Sequence, residues 1–201
     1  NILAVGAHVD DIELGCVGTL LKFQEKGASI DVVVTNQPRA SGKVVRTLEE
    51  VTEDYLAAEN YLGWKYNILP NTSLKWDNTT VLQMDDIVRR KDYDLIITHS
   101  AGDFHQDHRT TFSIVNSSLR RFQGEFWCME VAPYSNKNSS FNPNIFVDIS
   151  EQMQRKIIAL KCYRKYFDEE LQHNVTGLAS FRGQACNAKY AEAFELQFRT
   201  V

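Results

Sequence analysis

The sequence predicts an α/β fold in which a mainly parallel sheet carries helices on both faces. Short apolar runs rich in β-branched residues alternate along the chain with segments whose apolar residues recur at helical spacing. The 201 residues contain no internal repeat and no linker-like stretch, and this length suits one sizeable core. We therefore expect a single domain over residues 1–201.

Six strands account for the apolar runs. The first run, Ile-Leu-Ala-Val-Gly-Ala, is apolar and ends in small residues, and the second consists largely of β-branched residues, which favour strands. The third run ends at Pro70, and the fourth, Asp-Leu-Ile-Ile-Thr, is again mostly apolar. The strands are expected at residues 2–7, 30–35, 66–69, 94–98, 125–131 and 144–149.

The predicted helices rest on apolar spacing and on end signals. In residues 47–62 the apolar positions 48, 51, 55, 58 and 62 lie on one helical face, and Gly63 ends the helix. Gly27 likewise ends a helix at residues 15–26. Further helices are expected at residues 81–90, 106–122 and 153–167, and polar or glycine-containing loops are expected at residues 37–42 and 133–143.

Composition excludes several classes of function. The chain carries 22 Lys and Arg against 26 Asp and Glu, a net charge of −4, whereas proteins that bind nucleic acids or anionic membranes need a basic face. No apolar run approaches the roughly 20 residues of a membrane span. The four cysteines are far apart and form no C-x-x-C pair, so neither a disulfide framework nor a cysteine-rich zinc site is expected. With no visible signal peptide, these thiols favour a reducing, cytoplasmic location.

Polar residues cluster directly after the first and the fourth predicted strand. The first cluster is His-Val-Asp-Asp at residues 8–11, and the second contains His-Gln-Asp-His at residues 105–108. Either cluster alone is compatible with a polar loop or a helix cap, since Asp is a good N-cap residue. In a parallel sheet, however, both segments lie at the edge where ligands bind. Three histidines and three carboxylates at one edge favour a bound divalent metal, which compensates for their desolvation.

These motifs and their order resemble the LmbE-like/PIG-L superfamily of zinc-dependent N-acetylglucosamine deacetylases. The resemblance runs over nearly the whole chain, which carries Ala7-His-Val-Asp-Asp11, Gly18-Thr-Leu20, Arg46-Thr-Leu-Glu49, His105-Gln-Asp-His108, Phe141-Asn-Pro-Asn-Ile-Phe-Val-Asp-Ile-Ser150 and Tyr190-Ala-Glu-Ala-Phe194. The chain departs from the family pattern at Val9, where proline is usual, and at Cys162-Tyr-Arg-Lys165, where many relatives have a Ser-Gln pair. The resemblance implies a Rossmann-like sheet.

The resemblance also implies which residues hold a metal. His8, Asp11 and His108 would be its ligands. Two imidazoles and one carboxylate suit Zn²⁺ and leave a position open for water, and the same set suits Fe²⁺. Asp10, next to the ligands in sequence, would be the general base for that water.

Four further residues are expected around the substrate. Protonated His105 would stabilise the tetrahedral oxyanion or protonate the leaving amine, and Asp107 would hold His105 in its tautomer and keep it charged. Arg46 would contact sugar hydroxyls, a phosphate or a carboxylate, or it would pair with acidic residues of its own helix. Asp103 would line the pocket or turn its loop.

The resemblance implies a hydrolase that removes the N-acetyl group from an N-acetylglucosamine-type sugar or its conjugate. Two alternatives stay open: an amidase acting on another acylated natural product or thiol–sugar conjugate, and a non-catalytic nucleotide- or sugar-binding α/β domain. The phosphate-binding pattern G-x-G-x-x-G is absent after the first strand, which speaks against a nucleotide site. Members of the family often form trimers or hexamers, so a homo-oligomer is a further expectation.

Overall fold

The computed structural model describes residues 1–38, 46–137 and 141–200. Within these residues, seven strands form one sheet: β1 (Ile2–Gly6), β2 (Ile30–Val34), β3 (Tyr66–Ile68), β4 (Leu95–His99), β5 (Glu125–Met129), β6 (Ile145–Asp148) and β7 (Ala191–Arg199). Their order across the sheet is β3-β2-β1-β4-β5-β7-β6. The first five strands are parallel, and β7 runs antiparallel to both β5 and β6. The predicted α/β class with a mainly parallel sheet is therefore confirmed.

Helices cover both faces of this sheet. They are α1 (Asp11–Gly15), α2 (Val17–Glu25), α3 (Leu48–Leu62), α4 (Asn78–Val88), α5 (Gln106–Ser118), α6 (Met153–Lys161) and α7 (Glu169–Gln184). Side chains alternate between the two faces of a strand, so β1 contributes Ala4 to one apolar core and Leu3 and Val5 to the other. The first core is closed by α1, α2, α3, α6 and α7, and the second by α4 and α5.

Three predicted helices differ from the structure, and one of them, expected at residues 106–122, ends at Ser118. The helix expected at residues 15–26 begins earlier and is interrupted at Cys16, where α1 ends and α2 starts. The helix expected at residues 153–167 ends at Lys161, although Tyr163 and Phe167 beyond it are buried. The apolar spacing there indicates side chains that are buried in the core, and a series of turns buries these side chains as well as a helix would.

The last two elements of the chain, α7 and β7, were not predicted. The missed strand β7 carries Phe194, Leu196 and Phe198 in strict alternation, which is a strand pattern that the prediction overlooked. The apolar residues of α7 form no continuous stripe. Most of the loop expected at residues 37–42 and part of the loop expected at residues 133–143 lie outside the described residues, and Tyr134–Asn136 of the second loop forms a 3₁₀ turn.

No helix in the described part of the chain is long and apolar enough to cross a membrane.

Candidate active site

The two polar clusters meet at one edge of the sheet because β1 and β4 are parallel neighbours. β1 ends at Gly6 and β4 ends at His99, with Ile2–Ala4 of β1 in register with Leu95–Ile97 of β4. The chain moves from β1 outward to β2 and β3, and then returns to β4 on the other side of β1. The crevice between β1 and β4 is thus the point where the strand order reverses, which is where open α/β sheets bind ligands.

Three predicted metal ligands converge in this crevice. One donor atom each from His8, Asp11 and His108 lies within 4.8 Å of the others. The Nε2 atom of His108 is 3.3 Å from Oδ1 of Asp11, and Nδ1 of His8 is 3.4 Å from Oδ2. Asp11 and His108 are buried, whereas the His8 side chain is 28% exposed. The cluster is therefore open to solvent on the side of His8.

Asp11 is held in place through one of its two carboxylate oxygens. Its Oδ2 atom accepts the backbone N–H groups of Ala7 at 2.9 Å and His8 at 2.7 Å. The Nε2 atom of His99 lies 3.1 Å from the same oxygen and also accepts the Ala7 N–H at 3.0 Å. Because two backbone N–H donors and the His99 ring surround Oδ2, the Oδ1 atom that faces His108 is the oxygen left to bind a cation.

Each imidazole of the cluster has a second carboxylate behind it. Asp107 Oδ2 is 3.2 Å from Nε2 of His8, and Asp103 Oδ2 is 3.1 Å from Nδ1 of His108. In both histidines the other ring nitrogen points at Asp11. Carboxylates placed in this way orient metal-ligating imidazoles and increase their basicity.

The pKa values show that the cluster stabilises positive charge. Burial opposes protonation of His8, but Asp11, Asp107 and Asp10 together raise its pKa to about 10. Against the same effect of burial, Asp11 and Asp103 raise the pKa of His108 to about 9. A site of two imidazoles and one carboxylate that favours protonation of both imidazoles also suits a divalent cation. The cation replaces those two protons when it binds. The residues present therefore fit a metal ion.

Asp10 lies beside the ligands but does not share their contacts. It occupies the N-cap position of α1 with φ −110° and ψ −8°, and its side chain makes no capping hydrogen bond. Burial, followed by the negative charge of Asp11, raises the pKa of Asp10, while His8 and Arg46 lower it. Asp11 differs, because His108, His99 and His8 outweigh burial and hold its pKa well below the usual range. The pKa values of the two adjacent carboxyl groups are thus shifted in opposite directions.

His105 packs against both histidine ligands at the start of α5. Its ring centroid is 5.0 Å from that of His8 and 4.6 Å from that of His108. Its Nδ1 atom accepts the backbone N–H of Asp107 at 3.2 Å, which leaves Nε2 to carry the proton of the neutral ring. Burial and then the neighbouring His108 and His8 lower the pKa of His105. This lowered pKa favours the neutral imidazole, whereas the role expected from the sequence uses the protonated form.

Arg46 reaches the same crevice from the segment before α3. It does not pair with Glu49 or Glu50, because the Glu50 side chain instead accepts the Thr47 N–H and binds Lys165. The guanidinium lies over the ring of Tyr166 at 5.3 Å, and its Nη1 is 3.9 Å from Asp54 Oδ2. That buried Nη1 has no hydrogen-bond partner among the described residues, so it is available to a ligand.

Asp103 does not line an open pocket. It is fully buried, where it also accepts the His105 N–H at 2.8 Å and the Ser135 hydroxyl at 3.0 Å. Its place is behind His108, as a support for that imidazole.

An open groove of about 530 Å³ continues from the histidines along the protein surface. Its wall includes His105, Asp107, Phe104, Tyr134 and Lys137. The Phe104 ring is 52% exposed, and the Lys137 ammonium lies 4.7 Å from its centre. The groove therefore offers an aromatic surface and a cation beside the predicted ligands.

The comparisons with known proteins agree with the family resemblance. A family model described as GlcNAc-PI de-N-acetylase, or PIG-L, matches residues 3–119, which is more than half of the chain. The chain belongs to this family. The uncharacterized deacetylase YaiS of Escherichia coli K12 is 26% identical to this family member, over 82% of this chain and 90% of its own length. The diacetylchitobiose deacetylase of Thermococcus kodakarensis is 23% identical, over 96% of this chain and 81% of its own.

Solved structures share the fold of this PIG-L family member. The 4-carboxy-2-hydroxymuconate hydratase GalB of Pseudomonas putida KT2440 superposes with a TM-score of 0.85 at 21% identity, covering 100% of this chain and 97% of its own. A likeness of this kind shows the fold. Because that structure is a hydratase, the reaction has to be argued from the residues of the site.

Sequence reasoning missed two residues of this PIG-L site. His99 was not among the predicted site residues, yet it is fully buried, contacts Asp11 and stacks on His108 with 3.8 Å between ring centroids. Its position at the end of the fourth predicted strand was a signal that could have found it. Tyr134 packs edge-on against His105 and His108 at 5.4 and 5.6 Å, and no local pattern indicated this contact.

The motif Tyr190-Ala-Glu-Ala-Phe194 supports the ligand-bearing helix from behind. The Glu192 carboxylate accepts the backbone N–H groups of Gly18 and Thr19 at the start of α2, at 3.0 and 2.7 Å. Lys156 binds both Glu192 and the carbonyl of Leu14 in α1. Because these buried charges take the place of helical hydrogen bonds, they explain why the helix breaks at Cys16.

Proposed function

We propose that this protein is a metal-dependent N-deacetylase that hydrolyses the acetamide of an N-acetylglucosamine-type sugar or a conjugate of one. The observation that carries the proposal is the convergence of His8, Asp11 and His108 next to a separate carboxylate, Asp10. Membership of a deacetylase family supports hydrolysis of an amide, and the diacetylchitobiose deacetylase among the relatives supports a sugar substrate.

The ligand set is suited to Zn²⁺ and to Fe²⁺, and zinc is the metal we propose. When bound, such an ion polarises an amide carbonyl and increases the acidity of a water molecule. The chain's part is to keep both imidazoles oriented, through Asp107 for His8 and Asp103 for His108, and to leave the side of His8 open.

Asp10 is proposed as the general base. Its carboxylate accepts a proton from the attacking water, and its raised pKa makes it a better base near neutral pH than an ordinary Asp. The same proton then passes from Asp10 to the nitrogen that leaves, so that water and amide give acetate and a free amine. Asp11 does not compete for this proton because its pKa is held low.

His105 is proposed to stabilise the oxyanion that develops from the amide oxygen. Because Nδ1 accepts the Asp107 N–H, the proton on Nε2 is available for donation into the crevice. A neutral imidazole can act in this way as a hydrogen-bond donor, so the lowered pKa of His105 fits the role.

The rest of the substrate is proposed to lie between Arg46 and the groove beside His105. The Nη1 atom of Arg46, which has no hydrogen-bond partner among the described residues, can donate to a sugar hydroxyl, and the exposed Phe104 ring offers an apolar face to a sugar ring. Lys137 at the far side of Phe104 suits a polar or anionic group on a conjugate.

The test is acetate release from N-acetylglucosamine, N,N'-diacetylchitobiose and N-acetylglucosamine conjugates. The zinc-loaded protein is compared with protein stripped by a chelator and then reloaded. We expect activity that disappears on chelation and returns with the metal. Activity that does not change on chelation would contradict the proposal. Hydrolysis of another amide, with no acetate released from any amino sugar, would favour the alternative of an amidase with a different acylated substrate.

Substitution of Asp10 by asparagine separates the base from the ligands. Asp10→Asn should lower turnover by about 10²-fold or more while keeping the metal, because proton transfer by a positioned base contributes on that order. Asp168→Asn is the matched control, since Asp168 also stands at a helix N-cap but at α7, where its side chain caps the Leu171 N–H. Equal activity in both variants would exclude Asp10 as the base.

A further inference from the structure

We propose that Tyr163 is a positioning residue whose hydroxyl holds the carbonyl group of Val9, so that Asp10 faces the metal-ligand cluster. This inference rests on the proposed function, because the residue that is positioned is the proposed general base. Tyr163 itself touches neither a ligand nor the groove among the described residues.

Tyr163 reaches the site from the far side of the core. It follows α6, is fully buried, and its ring packs in the core that α1, α2 and α3 share. Its hydroxyl donates to the Val9 carbonyl and lies 2.9 Å from Oε1 of Glu13. Within residues 1–38, 46–137 and 141–200, this hydroxyl is the only hydrogen-bond partner of the Val9 carbonyl.

An anchor on that carbonyl determines where Asp10 lies. The peptide group between Val9 and Asp10 is planar, so fixing the oxygen of Val9 also fixes the nitrogen and the Cα atom of Asp10. Val9 leaves both backbone torsions of the turn free, whereas a proline there would restrict φ. The restraint on this turn therefore comes from outside the local sequence.

A competing arrangement of Asp10 makes the restraint necessary. An Asp at a helix N-cap normally adopts extended backbone torsions and accepts N–H groups of the first turn with its side chain. Asp10 instead has αR torsions, and its side chain makes no capping hydrogen bond with those N–H groups. Repulsion between Asp10 and Asp11 also favours turning the Asp10 carboxylate away. The Tyr163 hydrogen bond opposes this rotation of the peptide.

The same network provides a matched control. The Tyr163 hydroxyl lies within hydrogen-bond distance of both the Val9 carbonyl and Glu13 Oε1, so Tyr163→Phe removes both contacts. Tyr66 donates to the same Oε1 atom of Glu13 but makes no hydrogen bond with Val9 within the described part of the chain. Both tyrosines are buried, so their phenylalanine variants remove comparable hydroxyls, and only one removal frees the Val9 carbonyl.

The experiment compares Tyr163→Phe with Tyr66→Phe in zinc-loaded protein. Loss of one hydrogen bond from the catalytic arrangement should lower kcat of Tyr163→Phe by about 3- to 10-fold, with KM and zinc content unchanged. Tyr66→Phe should keep the kcat of the parent protein, although both variants unfold at lower denaturant concentration. An unchanged kcat in Tyr163→Phe, or an equal fall in both variants, would overturn the inference.

A substrate-free measurement keeps this test separate from the proposed function. If the parent protein releases no acetate from any amino sugar, the proposed function fails, and the position of Asp10 is read instead from the ¹³C resonance of its carboxyl group. That resonance, identified by its loss in Asp10→Asn, should shift in Tyr163→Phe and stay in place in Tyr66→Phe. No shift in Tyr163→Phe would overturn the positioning role.

Discussion

Replacing Asp103 by asparagine should weaken metal binding although Asp103 is not one of the proposed ligands. When His108 binds a cation through Nε2, its proton is on Nδ1, 3.1 Å from Asp103 Oδ2, and the other carboxylate oxygen accepts the His105 N–H at 2.8 Å. The amide of asparagine offers only one acceptor. In either orientation its NH₂ group faces one of these two N–H donors, inside a fully buried site.

The size of the effect follows from these contacts. Substitutions of residues that orient metal-binding imidazoles typically cost 10- to 100-fold in affinity, which corresponds to about 1.4–2.8 kcal/mol. Asp103 is at the upper end of this range because the unpaired donor is buried. Zinc affinity is measured by competition with a chromophoric chelator at fixed pH, with unfolding curves to show that the variant folds.

Ser135→Ala is the control for Asp103→Asn. It removes one hydrogen bond to Asp103 Oδ2 but leaves the carboxylate and its contact with His108 in place. A loss of zinc affinity below about threefold is expected, from the lower end of the range for one hydrogen bond. If folded Asp103→Asn binds zinc as tightly as the parent protein, or if Ser135→Ala loses as much affinity, the carboxylate does not tune His108.

Three further predictions address turnover, stability and substrate binding. His105→Ala should lower kcat by about 10²–10³-fold and retain zinc, because it removes an oxyanion donor; zinc loss equal to that of His108→Ala would contradict the division of roles. Burial raises the pKa of Glu13 to about 8 from 4.5, so the folded state keeps a proton that the unfolded state releases, and stability should fall as pH rises from 4.5 to 8 by at most about 1.4 kcal/mol per unit. The free energy of unfolding in urea, measured at pH 5 and pH 8, should fall less in Glu13→Gln than in the parent protein. An equal fall in both proteins would refute the raised pKa. Phe104→Ala should raise KM for sugar conjugates several-fold with little change in kcat, on the order expected for one aromatic contact. A change confined to kcat would show that the Phe104 ring does not contribute to substrate binding.

The proximity of the two polar clusters could be predicted from the sequence because strand ends are local features. The apolar runs before His8 and before the second cluster show where two strands end, and parallel pairing brings those ends together. Nothing in this inference requires knowledge of side-chain packing. For the same reason the site role of His99, the last residue of β4, could have been predicted, although His99 was not among the predicted site residues.

The supporting contacts could not be predicted because they join residues that are remote in sequence. Tyr163 meets Val9 across 154 positions, and Lys156 meets Leu14 across 142. Each of these side chains lies in a segment whose apolar spacing suggested only a packed helix. The placement of β7 between β5 and β6 likewise depends on pairings along the whole chain, although its alternating apolar residues were visible.

The different roles of two adjacent acids illustrate the limit of residue type as a guide. Asp10 and Asp11 are chemically identical, and either could have been the ligand on composition alone. Asp11 is the proposed ligand because two backbone N–H groups that follow β1 hold one of its oxygens, while the imidazoles lower its pKa. Asp10 receives no such donors from that strand end, and burial beside a negative charge raises its pKa. When the environment separates the pKa values of two carboxyl groups, the group with the lower pKa is suited to bind a cation and the group with the higher pKa is suited to transfer protons. The backbone of the turn after β1, rather than the pair of acids, therefore determines the chemistry proposed for this site.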